Sequence, residues 1–505
     1  MAAQNQKSSR GSRLLNGIER IGNKIPDPFM LFIVLAIIII FVSWIISFFN
    51  VSFTQPGEEK EIFIQSLVSA EGLQYMLTSM IDNFVGFGPL GIVLTMMLGI
   101  GLANKVGLLE TFIKSTILKA PKSLVTYAVI FTGIIGNLAA DAAFIIVPPL
   151  AAMVFYNVGR HPLAGLAAGF AGVGSGFTAN IIVANTDAVI SGISAEVMES
   201  LNTAVTVTPV DNYYFMLASV IVLTITGAFI TEKVVEPRLG VYEGDVKKVF
   251  EAASPLEKRG LRNAGIAALA YIGLLLLVLF LPDSPLRNEE GGMIPSPFLA
   301  GIVPIIMLFF VTVAIAYGKT TNQIEDSRSV ASLMGEAMKD MSGFIVLIFA
   351  ASQFIAYFEW TNIGSWLAVT GADFLDSVDI TGIGVVVAFI LLTALLNLFI
   401  FSGAGQWALE APIFLKMFYF LDYHPAFIQA AYRIADSSTN IITPMNPYFI
   451  IVLAFVKEYD KKAGMGTLIA LMLPYSITFL VIWILLFLAF TFLGIPFGPG
   501  IGVYL

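Results

Sequence analysis

The sequence predicts an all-α polytopic membrane protein with about nine crossings. It is made of inverted repeats, with two re-entrant hairpins and two broken transmembrane helices. Three observations lead there. Hydrophobic residues make up 57% of the 505 and charged residues 12%, with a mean hydropathy of +0.86, well outside the range of soluble domains. Many apolar runs reach the roughly 20 residues that cross a bilayer as helix. The only two histidines, His161 and His424, sit 263 residues apart in matching frames. The first frame is PLAAMVFYNVGRHPLAGLAAGFAGVGS and the second PIFLKMFYFLDYHPAFIQAAYRIADSS, so that without a gap Pro149 pairs with Pro412, Tyr156 with Tyr419, Pro162 with Pro425 and Ser175 with Ser438. So long a spacing is a duplicated half and not a solenoid repeat. In so apolar a chain, a duplicated half marks a secondary transporter.

Taken in order, residues 1–28 are polar and basic with no short apolar core, which predicts a cytoplasmic N-terminal tail and not a cleaved signal. The first transmembrane half, 29–232, holds crossings 29–49 and 87–106, hairpin 123–157, a crossing over 163–200 broken by polar residues, and crossing 213–232. A cytoplasmic loop, 233–262, follows. The second half, 263–505, holds crossings 263–281, 297–317 and 342–358, an outer loop 360–380, hairpin 384–421, a broken crossing 424–456 and crossing 466–493. The hairpins are long enough to enter and return, and their non-helical tips are tolerable only against protein or a wet cavity.

Charge placement supports this threading. With the N-terminus cytoplasmic, all 27 Lys and Arg residues except Lys60, Arg287, Lys416 and Arg433 fall inside or in the inner loops. The outer loop 360–380 carries Asp373, Asp376 and Asp379 and no cation. The first copy then runs opposite to the second, and a site at the midplane between inverted copies opens to either side in turn.

Several function classes drop out. There is no cysteine, so neither disulfides nor thiolate metal centres contribute, and the net charge of −8 argues against nucleic acid as a partner. No metal-ligand cluster and no buried catalytic pair stands in the sequence, which argues against an intramembrane enzyme; paired inverted hairpins favour a transporter over a channel.

The first broken crossing carries GSGFTANIIVANTD, with Ser175, Thr178, Asn180, Asn185, Thr186 and Asp187; the second carries RIADSSTNIITPMNP, with Arg433, Asp436, Ser437, Ser438, Thr439, Asn440, Thr443, Pro444 and Asn446. Such oxygens beside an unwound turn coordinate a cation, and half-helix N-termini attract an anion. Alternatively they satisfy one another between packed helices. Asp187, Asn185, Ser438, Thr439 and Asn440 are the candidate coupling-ion residues, for H+ or Na+, and no other cofactor is expected. Arg433 is costly at membrane depth and is either a substrate-carboxylate ligand or the partner of Asp436 in an i, i+3 ion pair. Asp187 is either a charge carrier or a helix-capping carboxylate. The tips offer Asn137 and Asp141 in the first hairpin, and Asn397, Ser402, Gly403, Gln406, Trp407 and Glu410 in the second. Trp407 would stack on an aromatic substrate or belong to an interfacial belt. His161 and His424, each preceding a proline, are expected to be turn residues.

The FSGAGQWALEAP tip and the RIADSSTNIITPMNPY helix, together with two hairpins and nine crossings, resemble the AbgT family of p-aminobenzoyl-glutamate transporters over essentially the whole chain. The resemblance implies a bowl-shaped homodimer in the inner membrane, each protomer with its own pathway. It implies transport of p-aminobenzoyl-glutamate, an aromatic carboxylate, and proton-driven export of sulfonamide-type antimetabolites. It also implies site roles for Asp187, Asn397, Trp407, Pro425, Arg433, Asp436 and Pro444. A serine expected three positions before the tryptophan is Ala404 here, with Ser402 two residues earlier. A sodium-coupled carboxylate importer of the wider two-hairpin architecture would use the same polar clusters.

Overall fold

The computed structural model describes residues 27–56, 60–139, 141–201, 203–244 and 253–505. The N-terminal tail up to residue 26, part of the central loop and the side chain of Asp141 lie outside the described residues. After α1 (Pro28–Ser47) come a short antiparallel pair, β1 (Ser52–Thr54) and β2 (Glu61–Phe63), and the helices α2 (Ala70–Thr78) and α3 (Met80–Val85). The first copy then runs α4 (Gly88–Lys105), α5 (Leu108–Leu118), α6 (Val125–Ile135), α7 (Asp141–Asn157), α8 (Pro162–Ser175), α9 (Asn185–Glu199) and α10 (Tyr213–Ile230). Helices α11 (Pro255–Phe280), α12 (Ile302–Thr320) and α13 (Ser327–Asp340) lead to the second copy. It repeats the order as α14 (Ser342–Trp360), α15 (Ile363–Ser377), α16 (Ile383–Leu396), α17 (Gly403–Tyr419), α18 (Pro425–Thr439), α19 (Phe449–Tyr459) and α20 (Met465–Leu493).

Among the described residues, 7 helices are long and apolar enough to cross a membrane: α1, α4, α10 with its continuation to Leu239, α11, α12, α14 and α20. Each was legible as an apolar run. The two broken runs are the pairs α8/α9 and α18/α19, with non-helical residues 176–184 and 440–448 between them. The two hairpin stretches are the helix–tip–helix pairs α6/α7 and α16/α17. Their arms have 11, 17, 14 and 17 residues, short of the roughly 20 that a full crossing takes.

Two expectations are corrected. The stretch 360–380 is not an open loop, because α15 occupies most of it, burying Ile363, Ala368 and Ala372 while Asp373 and Phe374 face outward. Its counterpart α5 was missed too, since a short helix with one apolar stripe does not register as a spanning run. Helix α11 begins eight residues before the expected crossing because Ser254 and Glu257 form a capping box: the Ser254 hydroxyl accepts from the Glu257 amide at 3.2 Å, and the Ser254 amide donates to Glu257 at 2.6 Å.

Both histidines cap helices in the same way. Nδ1 of His161 accepts the Leu163 amide at 3.2 Å, and Nδ1 of His424 accepts the Ala426 amide at 3.1 Å. Proline follows each at the first helical position, where its fixed φ suits the start and no amide is needed.

The copies pack differently behind these shared starts. In lipid, helices associate through close packing of small residues, and α8 reads PLAGLAAGFAGVGS. A Cβ on Gly165 would strike the Ala151 carbonyl of α7, and one on Gly172 would lie 2.8 Å from the Ile130 carbonyl of α6. The first broken helix therefore sits backbone to backbone against its hairpin. The frame mates in α18 are Ile428 and Ala435, and α18 touches α17 more sparsely. On the periphery, α11 leaves Ile266, Leu269, Leu274 and Leu277 exposed, as helices facing lipid do.

Candidate functional site

The two breaks meet each other. The Ser175 hydroxyl donates 2.9 Å to the carbonyl of Ser438, its own frame mate. Gly174 lies against Ile441, and their respective mates Ser437 and Thr178 share a 2.7 Å hydroxyl contact. Reciprocal contacts of this kind mark a local two-fold relation.

From this meeting point a polar stripe runs along α18: Gln429, Arg433, Asp436 and Asn440, spaced so that all lie on one helical face. Their partners come from α9, from Asn212 before α10 and from the end of α16. Gln429 contacts the Ser194 hydroxyl of α9 at 2.7 Å and donates to Asn212 at 2.8 Å. Arg433, fully buried, pairs through Nη1 with Oδ1 of Asp187 at the start of α9. The other Asp187 oxygen accepts from the Ala184 amide at 2.6 Å and from Asn180 Nδ2 at 3.1 Å. Asn397, at the end of α16, donates to the Asp436 carbonyl at 2.7 Å, to Thr439 Oγ1 at 2.8 Å and to Asn440 Oδ1 at 3.0 Å.

Asn137 repeats this role in the first copy, donating to the carbonyls of Ile134 at 2.9 Å and Gly176 at 3.3 Å. Gly176 is the frame mate of Thr439. Each tip asparagine thus donates to its own copy's break at mate positions, to the hydroxyl of Thr439 and to the carbonyl of Gly176.

Two expectations are corrected and one is extended. Arg433 does not pair with Asp436, its neighbour one turn on, but with Asp187 from the other broken crossing. Asp187, expected as a charge carrier or a helix cap, makes the capping bond to Ala184 and is also the partner of Arg433. Trp407 is not an interfacial tryptophan: it is fully buried, its indole N–H donates 2.9 Å to Ser194, and its ring rests on Tyr432 with centroids 4.5 Å apart.

Among the described residues, Nε and Nη2 of Arg433 and both carboxylate oxygens of Asp436 have no hydrogen-bond partner. Asp436 lies against the hairpin tip, where a Cβ on Gly403 would stand 2.9 Å from its Oδ1. A buried ionic group left without partners is strongly disfavoured, which makes this centre the candidate binding site. Arg433 and Asp436 line neither of the two apolar crevices, of about 470 and 530 Å³, that meet at Ile182 and Phe309. Arg433, Asp436 and Asp187 are all buried.

The remaining candidates are placed as follows. Ser402 caps α17, its hydroxyl accepting from the Gly405 amide at 3.1 Å. Thr439 and Asn440 receive Asn397, and Ser438 receives Ser175. Asn185 opens α9, its Oδ1 without a partner among the described residues. Pro444 lies in the second break, half-buried. Pro425 starts α18, roughly 12 Å along the axis from Arg433, and is not brought to the charged centre. Ala404 occupies the first turn of α17. Sequence reasoning missed Ser194, Gln429 and Asn212. Gln429 had a signal, because it continues the polar stripe one turn below Arg433.

The comparisons agree with this architecture. The family described as "AbgT putative transporter family" matches residues 13–505. The p-aminobenzoyl-glutamate transport protein of Escherichia coli strain K12 is 43% identical over 495 residues, 98% of this chain and 97% of that protein. Among solved structures, the Alcanivorax borkumensis YdaH transporter is 37% identical with a TM-score of 0.89, over 94% of this chain and 100% of that one. Neisseria gonorrhoeae MtrF, described as illuminating a class of antimetabolite efflux pumps, is 42% identical with a TM-score of 0.90, over 97% of this chain and 100% of that one. With whole-chain similarity in sequence and in fold to transport proteins, and a buried polar centre where two broken helices meet, this chain is a membrane transporter that belongs to the AbgT family.

Proposed function

We propose that the protein moves p-aminobenzoyl-glutamate and sulfonamide-type antimetabolites across the inner membrane by proton-coupled alternating access. The N-terminus would be cytoplasmic, and each protomer of a homodimer would carry its own pathway. The observation that carries this proposal is the free edge of Arg433. Nε and Nη2 form the side-on fork of the guanidinium, the geometry that grips a carboxylate with two parallel bonds, and neither donor is used within the described residues.

Coupling follows from charge. Arg433 faces two acids of the centre, Asp187 and Asp436, so an arriving carboxylate adds a further negative charge in a dry site. That is tolerable only with a proton or cation alongside. A proton taken by Asp187 would release Nη1 and leave the whole guanidinium to the substrate. Deprotonation would return Asp187 to Arg433 and expel the carboxylate. The Trp407–Tyr432 pair flanks the second tip and supplies the aromatic wall. Support for two-sided access comes from the reciprocal contacts between the breaks and from the repeated element order.

Binding of p-aminobenzoyl-glutamate and of an uncharged aromatic analogue to Arg433 variants tests this. A charge-assisted bond is worth about 1.5–3 kcal/mol, so Arg433→Ala should weaken the dicarboxylate by roughly ten- to a hundredfold, and Arg433→Lys by less because it keeps the charge and loses the fork. The analogue should change little. Equal losses for both ligands in folded protein would make Arg433 a purely structural residue.

A sodium-coupled carboxylate importer is favoured by a different observation. Asn137 Oδ1, Asn180 Oδ1, Asn185 Oδ1, Thr186 Oγ1 and Asn397 Oδ1 are buried oxygens without partners among the described residues, the ligand type a hard cation takes. Uptake at fixed pH with sodium removed decides. Proton coupling predicts unchanged uptake, and sodium coupling predicts its loss.

A further inference from the structure

Glu410 is a buried acid for which the exchange between Arg433 and Asp187 has no use. It lies on α17 and is 2% exposed. Its Oε2 accepts the Thr393 hydroxyl of α16 at 2.6 Å, and its Oε1 accepts Gln406 Nε2 at 2.8 Å, one turn earlier on α17. Gln406 also donates to the Thr393 carbonyl at 3.0 Å. The carboxyl thus ties together the two arms of the second hairpin, using neutral donors only.

The charged and titratable groups around it are already engaged or are themselves acids. On α18, the Tyr432 hydroxyl donates to the Gly403 carbonyl at 2.6 Å, and Asp436 is itself an acid. Arg433 is turned to Asp187. Further along α17, Lys416 is held by Glu359 of α14 and Ser365 of α15. No cation bonds to Glu410 among the described residues. A second buried carboxyl, Asp436, has unpartnered oxygens among the described residues and lies against Gly403 at the tip of the same hairpin. A carboxylate buried with neutral donors and no bonded cation is costly, and taking up a proton relieves that cost.

We propose that Glu410 is a proton-carrying group of the transport cycle: its carboxylate takes one proton from the solvent on one side and returns it on the other as the second hairpin moves. The Thr393 hydroxyl serves both states, donating to the carboxylate and accepting from the acid. This assignment rests on the proton coupling proposed above and adds a proton site within the second hairpin, distinct from Asp187.

Stoichiometry separates this role from a structural one. With full-length protein in proteoliposomes, free of sodium and with the membrane potential clamped at zero, the steady-state ratio of p-aminobenzoyl-glutamate across the bilayer is set by the number of coupled protons. Transport rate does not enter it. A gradient of about one pH unit supports about tenfold accumulation per proton. Glu410→Gln, which keeps the hydrogen-bonding shape, should lower the steady-state ratio about tenfold while retaining substrate counterflow at equal pH. Glu410→Asp, which keeps an acid, should restore the ratio. Thr393→Val should slow transport and leave the ratio as in the wild type. An unchanged ratio in Glu410→Gln would overturn the assignment, with proton coupling through Asp187 still standing. A lowered ratio in Glu410→Asp equal to that of Glu410→Gln would also overturn it. A wild-type ratio that ignores the pH gradient would instead remove proton coupling as a whole.

Discussion

Arg433 and Asp187 come from crossings 246 residues apart in sequence and meet as a buried ion pair. Removing one partner of such a pair leaves an uncompensated charge, at a cost of about 3–5 kcal/mol. Asp187→Asn should therefore lower thermal stability in detergent, and the freed guanidinium should make p-aminobenzoyl-glutamate rescue the variant more than it stabilises the wild type. A variant as stable as the wild type, or one that the dicarboxylate does not rescue, would contradict a shared Arg433. The identity of these residues was legible because charge is rare in apolar helices and stands out against them. Their pairing was not. Asp436 was the nearer partner on the helix, and nothing local reveals that α9 brings Asp187 to the same face. Glu410 was visible as a tip residue, yet its bonds to Thr393 and Gln406 depend on how the hairpin closes.

At the scale of elements, the matching histidine frames became matching caps, because Nδ1 of a residue before proline accepts the second amide of the helix in both copies. Loss of a cap costs about 0.5–2 kcal/mol, so His161→Ala and His424→Ala should destabilise by similar amounts at pH 8, and Asn at either position should recover most of the loss. Only a neutral imidazole caps. Burial lowers the pKa of His161 below its ordinary 6.5, with the Glu236 carboxylate acting in the opposite direction. The neutral form is thus favoured in the folded protein, and its contribution is complete above about pH 6.5 and is lost as the pH falls through the lower folded value. The stability advantage of wild type over His161→Ala should shrink on acidification, whereas that of His161→Asn over His161→Ala should not. Parallel pH curves for all three would show that the imidazole does not cap. The long apolar helices and both hairpin stretches were readable from hydropathy alone. Helices α5 and α15 were not, since a stripe that alternates with polar residues averages out over a spanning window.

For the whole molecule, direction follows from counting. Between α4 and its counterpart α14, the chain would cross at α4, at the broken pair α8/α9, at α10, at α11 and at α12, while the first hairpin enters and returns on one side. An odd number of crossings would reverse the second copy and would make the contact between Ser175 and Ser438 a meeting of inverted mates. By the positive-inside rule Arg259 would lie in the cytoplasm and the acidic surface of α15, with Asp373 and Asp376, outside. The chain has no cysteine, so any single introduced thiol is a unique reporter. In intact cells, a membrane-impermeant maleimide should label Asp376→Cys directly and Arg259→Cys only after permeabilisation. Both positions are exposed, so failure to label cannot be put down to burial. Labelling of both from the same side would mean an even number of crossings between them, which would undo the inversion and with it the placement of a two-sided site where the breaks meet.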